Sequence, residues 1–514
     1  MTRKSPKGSI TIFLALMLCL MVSMIGAGIQ SVRMAAARSQ ILNSMDIGLF
    51  SLFSEYDRTL LDEYDIFAID ASGSDGMLDP GSLYDEFYRY MLPVLLQTPS
   101  QKLIPGQGGI SGFALLTDDR GEIFYKEVVQ YMLETLWAQG ITAAQSLWKA
   151  NQASTQQAEE AGSRLDQSQT MRNYDDEIRT AASRSREKEE ARRRAASEAV
   201  SEGTGQGFSS GSSSQGELFS SSGAAGESSD TGPENPIPKL QRIMGMDLLT
   251  LVIPTTKSIS PRQLNGKPLL SQRQLQKGFG MEGWYIPESS FIGEALFQQY
   301  MISKLGSFQR PAKTGLAYQI EYIISRKKTD EENLRTVVNR LLLIREGVNA
   351  AAIASDPVKM DQVRALSAGI AQAFLAAPAL VVIEAALVAC WAFGESILDV
   401  RELLSGGRVP LIKSPADWQL ALENLPDLLD RLDTDRKGND NGLSYEDYLH
   451  VLLLGLTRED KTMGTMDMIE VTLRGQDGWE SFSLDSCVAA AGMSVDVVAN
   501  LSGFFSVSRE FGYL

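Results

Sequence analysis

Histidine occurs once in this sequence, as His450, and cysteine only three times, as Cys19, Cys390 and Cys487. Zinc sites draw on several Cys or His ligands, or on His with carboxylates, so this supply argues against a zinc enzyme. A Ser-His-Asp arrangement would have to recruit His450, which falls in the amphipathic run Tyr445 to Leu456. His450 reads instead as a surface or interface side chain. Cys19 lies inside a long apolar run, so Cys390 and Cys487 are too few for a disulfide scaffold. Each is read as a small buried hydrophobe, with one disulfide between them left open. Phosphate-cradling P-loop spacing is absent, which removes the usual basis for nucleotide-driven work. Excess positive charge is absent too: the formal charge is −16 and the pI about 4.8, which argues against a general nucleic-acid-binding surface.

What the chain does have is one long apolar segment at its start. No charged side chain occurs from Gly8 to Val32, and Ile10 to Ile29 is dominated by Leu, Met, Ile, Ala and Val. Roughly 20 such residues in a helix cover a hydrocarbon core about 30 Å thick. Arg3, Lys4 and Lys7 precede the segment and favour a cytoplasmic N-terminus, with the acidic bulk of the chain extracytoplasmic. The competing reading is a cleaved secretory signal with Ala35, Ala36 and Ala37 as its small-residue site. Against it, the apolar stretch exceeds the usual core of about 7 to 15 residues, and Arg33 interrupts the approach. Met34, Ile41, Met45, Leu49, Leu52, Phe53, Tyr56 and Leu60 continue one helical stripe beyond the span. The spacing predicts a stem helix ending near Asp62 to Tyr64, before a short strand at Asp65 to Asp70.

Four regions follow: an anchor and stem over 1–64, a small extracytoplasmic segment over 65–150, a connector over 151–237 and a main domain over 238–514. The second contains helix-like stretches at Leu83 to Leu96 and Ile123 to Leu147, with Trp137 and Trp148 as packing residues. The connector reads as a solvated charged helix over Gln152 to Glu202, then a Ser- and Gly-rich stretch over Gly203 to Pro236 that cannot repay its ordering entropy. In the main domain Thr329 to Glu332, Ser414 to Asp417 and Ser444 to Asp447 each place a hydroxyl at an N-cap and a carboxylate three residues on. Leu334 to Ile344, Ala379 to Phe393 and Tyr448 to Leu456 supply apolar helical faces. Ala379 to Phe393 is short for a second span and holds Glu384, so it reads as a buried core helix. Met468 to Arg474, Ser481 to Cys487 and Met493 to Ala499 read as strands divided by turns at Gly475 to Gly478 and Gly492. The fold expected is mainly α with a smaller antiparallel β part, an α+β chain.

Two motifs invite chemistry. Gly278-Phe-Gly280-Met-Glu-Gly283 matches a dinucleotide fingerprint literally, but polar Ser271 to Lys277 precedes it and strand-like Trp284-Tyr285 follows, so it reads as a turn and implies no cofactor. Asp433-Thr-Asp435-Arg-Lys-Gly438-Asn-Asp440-Asn-Gly442 looks like a calcium loop. Starting at Asp433 puts Lys437 at the fifth position and Ser444 at the twelfth. Starting at Asp435 puts Lys437 at the third, although Glu446 then falls at the twelfth. It reads as a polar interhelical turn, with a non-standard cation site as the minority reading, and no metal ligand is assigned. Nothing points to paired carboxylates of a glycosidase.

The N-terminus, Lys7-Gly-Ser-Ile-Thr-Ile-Phe-Leu14 before the apolar helix, then Arg33, Arg38 and Leu60-Leu-Asp-Glu-Tyr-Asp-Ile-Phe-Ala68, resembles the TadE and TadG group of pseudopilin-like proteins of tight-adherence (Flp) pili. Gly315 to Tyr322, Asn339 to Gly347 and Gly442 to Tyr448 resemble a family of membrane-anchored proteins of Gram-positive anaerobes that brings no known activity. The resemblance implies a non-enzymatic accessory or minor component of a pilus or related envelope assembly. Its partners would be the lipid bilayer and pilus or secretion proteins. Prepilins carry Glu at the fifth mature position, whereas cleavage after Gly8 would put Phe13 there. The alternative is a surface-displayed binding module or hydrolase using the Asp433 to Glu446 loop.

Overall fold

Burial starts abruptly along the first helix. The computed structural model describes residues 7–73, 76–97, 102–139, 236–264, 266–281, 291–373, 380–432, 442–500 and 503–513. Helix α1, Lys7–Phe53, exposes every side chain from Ile10 to Ala36 except half-buried Gln30. From Ala37 onward Ile41, Met45, Leu49, Leu52 and Phe53 are buried in one core cluster. Of two helices among the described residues that are long and apolar enough to cross a membrane, this is the one with no burial along its apolar window.

α1 stops at Phe53, and Glu55 N–H closes the last turn on Leu52 O at 3.0 Å. Asp57 then caps a separate helix α2, Arg58–Tyr64, accepting from Thr59 N and Leu60 N at 2.8 and 3.0 Å. The expected end near Tyr64 is therefore the end of this second helix. Strand β1, Ile69–Asp70, follows, and helix α3, Pro80–Leu96, starts on an Asp79 cap with Pro80 at its first position. Strand β2, Leu103–Leu115, leads into α4, Asp118–Gln139, which opens with three left-handed residues, Asp119, Arg120 and Gly121.

The sheet is antiparallel. Strand β3, Cys487–Ala499, is its centre, pairing with β2 and β1 and with β4, Gly503–Gly512. Phe50 and Phe53 of α1 meet Phe511 edge-on, and α3 closes the same core through Leu83, Phe87, Met91 and Leu95.

The chain divides into two units, the first made of 1–151, 259–334 and 449–514, the second of 152–258 and 335–448. The expected separation into 65–150 and 238–514 is corrected by strand pairing: β2 comes from the early segment and β3 from the C-terminal one, so both ends of the chain build one sheet. Met468 to Arg474, expected as strand, is the last turns of the helix Arg458–Arg474, buried along most of its length. Gly492, expected as a turn, sits within β3, where a Cβ would lie 2.6 Å from Ser111 Oγ. The three N-cap signals are in place: Glu332 N donates to Thr329 Oγ1 at 3.2 Å, Ser414–Asp417 is a capping box, and Ser444 N donates to Asp447 Oδ2 at 2.8 Å. Ala379 to Phe393 lies mostly within the helix Leu380–Ser405, whose second half is buried in unit two. Its first residue falls outside the described residues, as do Trp148, the connector helix from Gln152 and the Ser- and Gly-rich stretch up to residue 235.

Gly48 lets α1 approach α3, since a Cβ there would lie 3.0 Å from both Met91 Cβ and Phe87 Cε2. Helix propensity by itself favours Gly48→Val by about 0.3 kcal/mol. Overpacking costs about 1–3 kcal/mol, so the expected outcome is a net loss of stability, read as a lower urea midpoint of the full chain in detergent. An unchanged or raised midpoint would contradict this packing.

Candidate functional site

A cleft of about 1030 Å³ opens in the first unit between the β2–α4 junction and a strap over residues 270–281, which begins with a 3-10 turn at Leu270–Gln272. The strap is pinned at both ends. Phe113 and Phe279 exchange backbone hydrogen bonds at 2.9 and 3.0 Å, and Asp118 accepts from Leu115 N at 2.8 Å and Gly278 N at 2.9 Å. At the other end Ser271 donates its N–H and Oγ–H to Asp467, at 2.9 and 2.6 Å. Arg273 forms a forked pair with Glu470 at 2.6 and 2.8 Å and reaches Asp485 at 2.8 Å. The cleft wall is thus fixed rather than a loose lid.

Asp467 is fully buried and also accepts from Tyr322 Oη and Arg326 Nη1, both at 3.0 Å. Burial still outweighs these donors and pushes its carboxyl upward. Burial raises the Asp485 carboxyl as well, but Arg273 and Ser483 more than offset it and hold it below the usual range. Thr117 Oγ1, buried at the cleft, has no hydrogen-bond partner among the described residues. Each non-glycine residue in left-handed geometry costs on the order of 1 kcal/mol, so Asp119 and Arg120 hold strain at the cleft mouth. Gly121 lies against Met466 and Thr462 with no room for a Cβ.

The second unit encloses a set of buried charges. Arg345 donates to Asp399 Oδ2 from Nε and Nη2 at 3.0 and 2.8 Å, and to the carbonyls of Pro410 and Leu411 at 3.0 and 2.9 Å. Lys413 Nζ lies 2.5 Å from Asp399 Oδ1 and also pairs with Glu395, which accepts from Gln419 N and Leu420 N. Burial would raise the Asp399 carboxyl, but Arg345 and Lys413 beside it win and hold it below the usual range. These bonds tie the segment 409–420 onto the Asp330–Ser355 and Leu380–Ser405 helices, a structural role.

On α4, Glu127 has only the Phe67 N–H as donor to one oxygen, and its other oxygen has no partner among the described residues. The nearby Tyr300 and Tyr513 hydroxyls donate elsewhere, to Tyr64 O and Phe53 O at 2.6 Å each. Burial pushes this carboxyl up from about 4.5 to about 8.

His450 sits in the Tyr445–Leu454 helix, half-buried, and Glu446 lies in that helix's first turn. Asp433, Asp435, Lys437 and Asp440 fall outside the described residues, as do Gly283, Trp284 and Tyr285. Gly278 and Gly280 serve the strap's close crossing of β2, with Gly280 at φ +72. Cys390 and Cys487 are both buried, and no disulfide joins the described cysteines. Among the described residues no group of three or more His, Cys, Asp or Glu could hold a metal ion. Sequence reasoning missed Asp467, Glu470 and their arginines. A signal existed, since these acids share a helical stripe with Met463, Met466 and Leu473, but it is visible only once the segment is read as helix.

An α+β chain with an exposed apolar helix on a sheet unit and a helical unit beside it in sequence is the class defined so far. The chain belongs to a family of unknown function, DUF5702, whose model matches residues 226–499, just over half of its length. The α1, β2 and β4 elements lie outside the matched residues. No curated protein and no solved structure matches.

Removing one member of a buried ion pair costs about 3–5 kcal/mol because its partner stays buried and uncompensated. Asp399→Asn is expected to lose about that much and to expose residues 409–420 to hydrogen exchange; full protection there would contradict the account. Glu127 gives a pH effect of known sign. Between about 4.5 and about 8 the unfolded chain loses this proton while the folded one keeps it, so the group's contribution to stability falls as pH rises through that window. Glu127→Gln should therefore melt progressively higher than the parent from pH 5 to 8, and a constant difference would count against a proton-bearing Glu127.

Proposed function

We propose that this protein is a non-enzymatic, membrane-anchored envelope component, displayed outside the cytoplasm by α1 and acting as an accessory or minor part of a pilus-like assembly. The carrying observation is that one helix changes from fully exposed apolar surface to buried core at Ala37. A contiguous apolar surface of that size in water is a liability, and a bilayer removes it. In this reading the half of α1 from Ala37 to Phe53 is the stem, and it transmits the membrane position to the sheet unit without a flexible joint. The basic residues before the span support a cytoplasmic N-terminus. The N-terminal resemblance to tight-adherence pseudopilins supports the assembly role, and the cleft supplies a fixed recognition surface for a partner segment.

The test is topology together with phenotype. Ser508 is exposed on β4. Ser508→Cys in the full chain should react with a membrane-impermeant maleimide on intact cells, the protein should resist carbonate extraction, and deletion of the chain should impair surface-filament assembly. Labelling only after lysis would overturn the orientation, and unaltered filaments would overturn the assembly role.

A further inference from the structure

The outward face of the sheet changes character along the strands. At one end three apolar side chains stand opposite one another across β2, β3 and β4: Ile104, Val498 and Phe504, with exposures of 48, 44 and 65 %. The next row inward pairs Asp496 with Ser506, the next Ser494 with Ser508, and the last Gly492 with Glu510. A solvated sheet face is normally polar throughout, so one exposed apolar row at one end needs a cause.

The register shows which end this is. Phe53, at the end of α1, meets Phe511 and Tyr513. Gln40, further back on α1, donates to Leu95 O at 3.0 Å, and Leu95 lies in the last turn of α3. Lys102 O, just before β2, accepts from Asn500 N, just after β3. Thirteen residues of helix rise about 20 Å, and seven residues of strand from 504 to 511 span about 23 Å. The apolar row is therefore level with the point where α1 leaves the core and becomes fully exposed. Leu96, 55 % exposed, and exposed Lys102 share that end.

We propose that this end of the sheet unit, formed by Leu96, Ile104, Val498 and Phe504 with Lys102, is a second membrane contact that seats on the headgroup layer around the emerging helix. The inference rests on the anchoring reading above. The exposed part of α1, Ile10 to Ala36, is about 40 Å long, the thickness of a bilayer with its headgroups. The sheet end then lies at the outer headgroup surface, where apolar side chains insert and Lys102, with Arg33 and Arg38 of α1, faces anionic phosphates. Two contacts of different kinds, one spanning and one interfacial, fix the tilt of the unit, which a single helix leaves open.

The test is a depth ladder in the full chain, reconstituted in vesicles of phosphatidylcholine and phosphatidylglycerol. An environment-sensitive fluorophore is placed, one site at a time, on Phe504→Cys, Ser506→Cys, Ser508→Cys or Glu510→Cys in a Cys19→Ser background. Nitroxides on lipid headgroups or upper acyl carbons act as quenchers, and a probe on Ile12→Cys with a deep acyl nitroxide reports the anchor separately. The expected result is quenching that falls at least about two-fold from 504 to 510, since interfacial groups sit within about 10 Å of the boundary. Equal, weak quenching at 504 and 510 with strong quenching at 12 would overturn the inference and leave the anchor standing. A blue shift at 504 without lipid quenching would mean contact with another copy, which also overturns it. Loss of quenching at 12 would remove the anchor and this contact together.

Discussion

The seating of the second half of α1 into the sheet core is the constraint on which the first unit depends. Ile41, Met45, Leu49 and Leu52 recur every three or four residues and fill the space between α3 and the sheet. Fully burying each such side chain is worth about 1.5–3 kcal/mol, so this half of the helix cannot be peeled away without dissolving the core. The other half has the opposite property, since nothing among the described residues covers it. One rigid element with two solvents is a simple physical statement of how such a unit could be held at a surface, and it explains why both ends of the chain return to it: β4 and Tyr513 close on the same helix that starts the protein.

The second unit is held differently. Its apolar helices enclose Arg345, Asp399, Glu395 and Lys413, and the charges find their partners through a segment that would otherwise have little reason to lie in one place. Buried ion pairs add little net stability against an apolar replacement, but breaking one is costly. The network specifies the path of residues 409–420, and Trp391 Nε1 donating to Leu420 O at 2.7 Å completes that attachment.

What the sequence made legible was local. The apolar run, its length and flanking charges, the hydroxyl–carboxylate caps and the glycine turn each depend on residues within a few positions of one another. The sheet was less visible. β2 contains Pro105, Gly106, Gly108 and Gly109, residues that strands avoid, and it is accommodated by register shifts against β3. The helix Arg458–Arg474 carries Thr462, Thr465, Ile469, Val471 and Thr472, whose β-branching suggested a strand over its last residues until packing on both sides settled it as helix. The cleft and the ion clusters were not legible, because Arg273 and Glu470 lie 197 residues apart and only the fold brings them together.

The mature N-terminus of the protein in its native membrane decides the central claim, that α1 is retained as one continuous element. Mass spectrometry of the intact chain extracted from membranes should give a form beginning at Met1 or Thr2, with the apolar helix present. A mature chain beginning at Arg38 would contradict it, because cleavage there would remove the exposed half and leave a unit with no tether.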